Sequence, residues 1–131
     1  MNHQFFCRVY YEDTDCGKVV YYANYLKFFE RARTELLRSL NISQSILAKE
    51  QQLAFVVRNC QINYQHPAIF DDLLLVESKI SNLGKASIDM EQKITCNSKK
   101  IASLVVNLAC INTITFKPCK LPTTIQSIFY V

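Results

Sequence analysis

Apolar residues recur at helical spacing over one long stretch of this 131-residue chain, and most of the remaining sequence alternates instead. At about 100° per residue, Tyr25, Phe28, Phe29, Ala32, Leu36, Leu37 and Leu40 cover one broad face of a helix over residues 24–40. Lys27, Arg31, Thr34 and Arg38 share the other face. The apolar arc spans nearly half the circumference, so the helix needs a sheet that curls around it. Asn41 supplies a stop, and residues 43–51 read as a second, shorter helix with Ser43 as its cap.

The rest has period two. Residues 5–11 are rich in aromatics and Val and predict a first strand that ends in the turn cluster 12–18. Along residues 55–65, Cys60, Ile62 and Tyr64 point one way and Asn59, Gln61, Asn63 and Gln65 the other, a half-exposed strand closed by His66-Pro67. Strands are predicted over residues 73–80 and 87–96, joined by a turn at Asn82-Leu83-Gly84. Residues 101–114 are almost wholly apolar and predict a central strand, closed off by Pro118 and Pro122. One early helix and five strands give an α+β domain: a five-stranded antiparallel sheet wrapped around one long helix. Residues 1–131 fit a single domain of ordinary size, without repeat or linker.

A net charge of +4, spread among acids rather than gathered in a block, gives little support to nucleic-acid binding. There is no run of about 18 uncharged apolar residues, and Met1-Asn2-His3-Gln4 leads straight into the first strand rather than into a signal sequence. The expectation is a cytoplasmic protein without a transmembrane segment. The six cysteines (Cys7, Cys16, Cys60, Cys96, Cys110, Cys119) form no C-x-x-C pair, and several fall on apolar strand positions. They read as buried free thiols rather than disulfides or a zinc site, except Cys16, which reads as a small residue of the loop before the helix rather than a nucleophile. No metal site is expected.

The chemistry concentrates in Asp13-Thr14-Asp15-Cys16-Gly17, just before the helix. A loop carboxylate facing a helix N-terminus suits acyl transfer: free N–H groups of the first turn polarise a carbonyl while the carboxylate attacks it or activates water. The same residues are also ordinary turn formers, with Asn24 an ordinary N-cap. Arg33 falls inside the apolar arc with Glu30 one turn before it, which predicts an i, i+3 ion pair supporting the site. Asp13 reads as an acceptor that steadies the turn.

The run Arg8-Val9-Tyr10-Tyr11-Glu12-Asp13-Thr14-Asp15, then Val19-Val20-Tyr21-Tyr22-Ala23-Asn24-Tyr25 and Phe29-Glu30-Arg31-Ala32-Arg33, closely resembles the hot-dog fold acyl-CoA thioesterases of the 4-hydroxybenzoyl-CoA type. Within them it is most like the bacterial Tol-Pal associated branch. Tyr64-Gln65-His66-Pro67-Ala68, Asp71-Asp72 and Gly84-Lys85-Ala86-Ser87 extend the similarity over most of the chain. The resemblance implies that Asp15 is the catalytic carboxylate and that the backbone N–H at Tyr22 holds the thioester carbonyl oxygen. It implies that Lys85, in the turn before Ser87, meets the phosphates of coenzyme A, which enters as part of the substrate; no cofactor is required. It also implies a homodimer or tetramer with the site between protomers. Two positions depart from the pattern. Tyr22 stands where the Tol-Pal branch usually has His, and Lys18 where both branches usually have Gly.

The acyl group is open, with short aliphatic, aromatic and acyl-carrier-protein-linked thioesters all compatible. A non-catalytic acyl-binding protein is one rival. A hot-dog hydratase or dehydratase is another; it needs an acid/base pair, commonly His with a carboxylate, and the only histidines are His3 and His66.

Overall fold

The computed structural model describes residues 2–128. Met1 of the opening segment lies outside them. Five strands, β1 (Asn2–Arg8), β2 (Leu53–Tyr64), β3 (Leu73–Leu83), β4 (Ser87–Cys96) and β5 (Lys99–Asn112), form one antiparallel sheet in the order β1-β3-β4-β5-β2. Helices α1 (Asn24–Ser39), α2 (Gln44–Gln51) and α3 (Thr123–Ile128) complete the domain.

The predicted arc of α1 is the buried one. Tyr25, Phe28, Phe29, Ala32, Leu36 and Leu37 pack into the same core as Leu74 and Val76 of β3, Ile88, Met90 and Ile94 of β4, and Leu104, Val106 and Leu108 of β5. Leu40 is only partly buried. Asn41, at φ 62°, ends the helix: its N–H donates to Arg38 O and the Ile42 N–H to Leu37 O, both at 3.0 Å. These two bonds satisfy carbonyls that the last turn leaves open.

Element ends moved where side chains intercept the backbone. β1 begins before residue 5 and stops at Arg8, because Asp13 Oδ2 accepts the Tyr10 N–H at 2.8 Å and starts a 3-10 turn over Tyr11–Asp13. β5 spans Lys99–Asn112 rather than 101–114, since Asn112 Oδ1 takes the N–H groups of Ile114 and Thr115 at 2.8 and 3.0 Å. β3 runs past residue 80 to Leu83, carried through a register shift between Ile80 and Asn82. After Pro122 the chain does not simply close off: it forms α3, whose Ile125 is fully buried beside Leu121.

β2 sits at the sheet's edge, and α1 packs mainly over β3 and β1. The inward face of β2 is therefore only partly covered: Phe55 and Ile62 pack against the core, but Val57 is 52% and Tyr64 47% exposed, and Cys60 is exposed too. β2 is thus a twelve-residue strand with one open edge and apolar side chains left exposed on its inward face.

Candidate active site

Residues 13–20 form a closed loop pinned at both ends. Asp15 N–H donates to Val19 O and Lys18 N–H to Asp15 O, each at 3.0 Å, and Thr14 bridges Val20. Val20 N–H donates to Ala68 O at 2.9 Å and Val19 bridges Ile69, which presses the loop against the turn after β2. The Asp15 carboxylate is exposed, with Oδ1 accepting the Gly17 N–H at 2.8 Å. A Cβ on Gly17 would lie 3.1 Å from that oxygen, so a side chain there would press the carboxylate away by a few tenths of an ångström.

Asp13 plays a different part. Its Oδ2 takes the Tyr10 N–H, and its carbonyl accepts both the Tyr21 N–H at 2.9 Å and Asn24 Nδ2 at 2.9 Å. Asn24 is thus the first residue of α1 and a strut to Asp13, not the N-cap; Ala23 holds that position and offers no side-chain cap. Tyr21 N–H is bonded to Asp13 and Asn24 N–H to Tyr21 O at 2.8 Å. Among the described residues the N–H groups of Tyr22 and Ala23, between them, have no hydrogen-bond acceptor. Two unsatisfied donors at the positive end of a sixteen-residue helix form a ready anion site.

Beside these donors lies a cavity of about 240 Å³ lined by Val20, Tyr22, Tyr25, Tyr64, His66 and Pro67. Tyr64 stands edge-on to Tyr22 with centroids 6.2 Å apart and tilts against Tyr25 at 5.6 Å. Its hydroxyl donates to Tyr22 O at 3.3 Å. Tyr25 is buried, and its hydroxyl accepts the Ala68 N–H at 3.0 Å, tying α1 to the turn after β2. Burial pushes the hydroxyl pKa of both Tyr25 and Tyr64 up, so they stay protonated donors. A second hollow of about 220 Å³ lies by Glu77, Lys79, Glu91 and Lys93 on β3 and β4, away from the helix N-terminus, and its charges pair locally, with Lys93 Nζ 3.8 Å from Glu77 Oε1.

Sequence reasoning singled out Asp15 and Tyr22 but not the aromatic wall. The sequence presents Tyr64 as an alternating strand position within the family-like run and His66 as a turn residue there, with an acid/base part only in the rival dehydratase reading. The signal was the cluster Tyr64-Gln65-His66-Pro67 at the end of an edge strand, which the topology brings to α1. His66 Nδ1 donates to Lys100 O at 2.8 Å, which anchors its ring at the cavity rim. His3, opposite Ser78 on β1, lies toward the other end of the sheet from Arg8 and the loop.

The expected Glu30–Arg33 ion pair does not form. Arg33 Nη1 donates to Gln92 Oε1 at 3.0 Å, and Glu30 Oε1 accepts Thr34 Oγ1 at 3.1 Å instead. Arg33 points into the domain, where burial lowers its pKa and the charge of Glu30 only partly offsets this. Gln92, buried, also donates to Phe29 O at 3.0 Å and Ser78 Oγ at 2.8 Å. Glu30 stays on the exposed flank.

Lys85 and Ser87 are not brought to Asp15 within one chain. β3 carries the backbone from Leu73, opposite Arg8 at the loop end, to Leu83, a run of roughly 33 Å at about 3.3 Å per residue. Lys85 lies beyond that, exposed, with its carbonyl accepting the Leu121 N–H at 2.8 Å. The Ser87 hydroxyl fills the space a side chain at Gly84 would need. Lys18 adopts φ 66°, a left-handed conformation that glycine takes without strain.

Comparison with known proteins agrees with this architecture. The chain is 48% identical to the acyl-CoA thioesterase YbgC of Haemophilus influenzae, over 94% of this chain and 90% of the relative. It is 41% identical to the acyl-CoA thioester hydrolase YbgC of an Escherichia coli O6:H1 strain, over 93% and 91%. A probable thioesterase from Bartonella henselae superposes with a TM-score of 0.89 at 42% identity, covering 93% of this chain and all of the other. With residues 17–103 matching the Thioesterase superfamily, and with a sheet, helix and loop arranged as described, the chain belongs to that superfamily.

Proposed function

We propose that the protein hydrolyses acyl-CoA thioesters to a free acid and coenzyme A. The observation that carries this reading is the pair of unbonded N–H groups at Tyr22 and Ala23, next to the loop that presents the Asp15 carboxylate. The carbonyl oxygen of the thioester sits against the Tyr22 N–H, and negative charge developing there is met by the helix N-terminus. A preorganised donor of this kind supplies roughly 3 kcal/mol. Asp15 acts either as nucleophile, giving a mixed anhydride that water then opens, or as general base toward water. In both routes one water is consumed, the C–S bond breaks, and the thiolate of coenzyme A leaves and is protonated. Asp13 holds the loop, and Arg33 supports α1 through Gln92.

The functional unit in this reading is a homodimer. Two copies of β2 pairing antiparallel bring the Leu53 end of one strand against the Tyr64 end of the other. Leu53 pairs with Asn112 of β5, and Ser87 with Ala109, so the Lys85 turn belongs to that end of the sheet. Pairing therefore carries the Lys85 turn of one copy toward the Asp15 loop of the other, where Lys85 meets the phosphates of coenzyme A. Thioesters on an acyl carrier protein present the same reacting bond and fall within the proposal. Six free thiols suit a reducing compartment, and we place the reaction in the cytoplasm.

The test is thiol release from a panel of acyl-CoA thioesters of graded length, benzoyl forms included, beside Asp15→Asn. Loss of roughly a hundredfold or more in rate with the fold intact is expected. Wild-type turnover in folded Asp15→Asn would remove Asp15 from the mechanism, and binding without turnover by the wild type would make the protein an acyl-CoA binder.

A further inference from the structure

Two of the cysteines lie opposite each other beside a short bridge at the end of the sheet. After β5 the chain turns back, and Ile111 pairs antiparallel with Pro118. The flanking bonds, Asn112 N–H to Lys117 O at 2.9 Å and Cys119 N–H to Cys110 O at 2.8 Å, fix that register and set Cys119 directly opposite Cys110. Opposed residues of an antiparallel pair project to the same face with Cα atoms about 4.5–5.5 Å apart; here one of the two possible bonds is made, since the Cys110 N–H donates to Ala86 O at 2.8 Å. Disulfides bridge Cα separations of about 4.4–6.8 Å, which takes in this range. The Cys110 thiol, in the core, reaches toward Lys120 O at 4.0 Å, so it already points at the returning segment. The Cys119 thiol is less buried and lies 3.7 Å from Lys117 O. The other cysteines have no such neighbour: Cys7 is opposite Leu74, Cys60 opposite Val106 and Cys96 opposite Lys99.

We propose that Cys110 and Cys119 are a reversible dithiol–disulfide site that takes a small disulfide of the glutathione class as its oxidant. The Cys119 thiolate attacks one sulfur of glutathione disulfide, the S–S bond breaks, and the departing glutathione thiolate takes up a proton. Cys110 then gives up its proton to solvent and attacks Cys119 Sγ, expelling the second glutathione. Two protein thiols are oxidised and one glutathione disulfide is reduced to two thiols. The order of attack is set by exposure: burial, reinforced by Cys119, pushes Cys110 up to about 11, so it resolves rather than initiates, and closure quickens as pH rises. The bond ties down the segment whose Leu121 and Ile125 fill the core and whose Leu121 N–H holds the Lys85 carbonyl.

Incubating the full chain with glutathione disulfide, then measuring intact mass and mapping linked peptides, tests this without reference to activity. The expected result is loss of two hydrogens, a 110–119 link that dithiothreitol reverses, and a raised melting temperature. Cys110→Ser is expected to stop at one glutathione on Cys119, and Cys119→Ser to leave residue 110 unmodified. A control lacking the exposed thiols, Cys16→Ser with Cys60→Ser, is expected to form the link unchanged. A stable glutathione adduct on wild-type Cys119, a link through Cys16 or Cys60, or no oxidation at residues 110 and 119 would each overturn the proposal.

Discussion

The Tyr10 N–H donates to Asp13 Oδ2 at 2.8 Å, so the carboxylate that precedes Asp15 by two residues is spent on the backbone. Its own carbonyl then holds Tyr21 and Asn24, which fixes where α1 begins. Asp13→Ala is expected to cost about 1 kcal/mol of stability. Its turnover is expected to fall much less than that of Asp15→Asn. Urea unfolding and thiol-release kinetics on the two variants check this, and a reversed ranking would exchange their roles.

The proposed site, assembled from two copies, predicts complementation. Lys85→Glu is expected to raise KM, and Asp15→Asn to lower turnover by roughly a hundredfold or more. In a mixed dimer of the two variants, one site combines an intact Asp15 with an intact Lys85 from the other chain. Mixing the variants after reversible dissociation is therefore expected to give more activity at low substrate than the sum of the separate proteins. A strictly additive result would place each site within one chain.

Lys18 holds φ 66° with a side chain attached, a conformation that costs an L-residue roughly 1–2 kcal/mol. Lys18→Gly relieves this while giving the unfolded chain more freedom. A net gain of up to about 1 kcal/mol is expected, seen as a higher urea midpoint at unchanged slope.

Gln92 joins Arg33, Ser78 and Phe29 O inside an otherwise apolar core. Gln92→Leu strands those partners and is expected to destabilise by about 2 kcal/mol. Adding Arg33→Leu and Ser78→Ala is expected to recover most of the loss, because an apolar core of similar volume needs no partners. Chemical denaturation of the single and triple variants measures both steps.

Burial raises the thiols of Cys7 and Cys110 from 9.0 to about 11. Each folded pKa exceeds the unfolded value, so their contribution to stability is complete below pH 9 and is lost as pH rises through 11. Melting temperatures across that window are expected to fall more steeply for the wild type than for Cys7→Ala with Cys110→Ala.

The long apolar arc made α1 legible, since 3.6-residue periodicity over four turns admits few other structures. The alternation around Met90 likewise marked β4 at its observed ends. What periodicity could not convey was which strand would lie at the edge. Tyr64 alternates as any strand residue does, and only the sheet order brings it against Tyr22. Arg33 was correctly placed among apolar neighbours, but its partner is Gln92, fifty-nine residues away, rather than the nearby Glu30. Local spacing favours local partners, and a buried guanidinium takes whatever acceptor the sheet provides. Pro122-Thr123 reads as readily as a stop as it does as the start of α3.

In the proposed dimer, the bare edge of β2 also makes concentration a variable of the chemistry. If two chains must meet before a reaction centre exists, output per chain is not a constant: it falls on dilution and climbs as the protein accumulates. Specific activity measured at nanomolar and at micromolar enzyme would then differ for the same preparation, and the organism would set its hydrolytic capacity more steeply than in proportion to how much of the chain it makes.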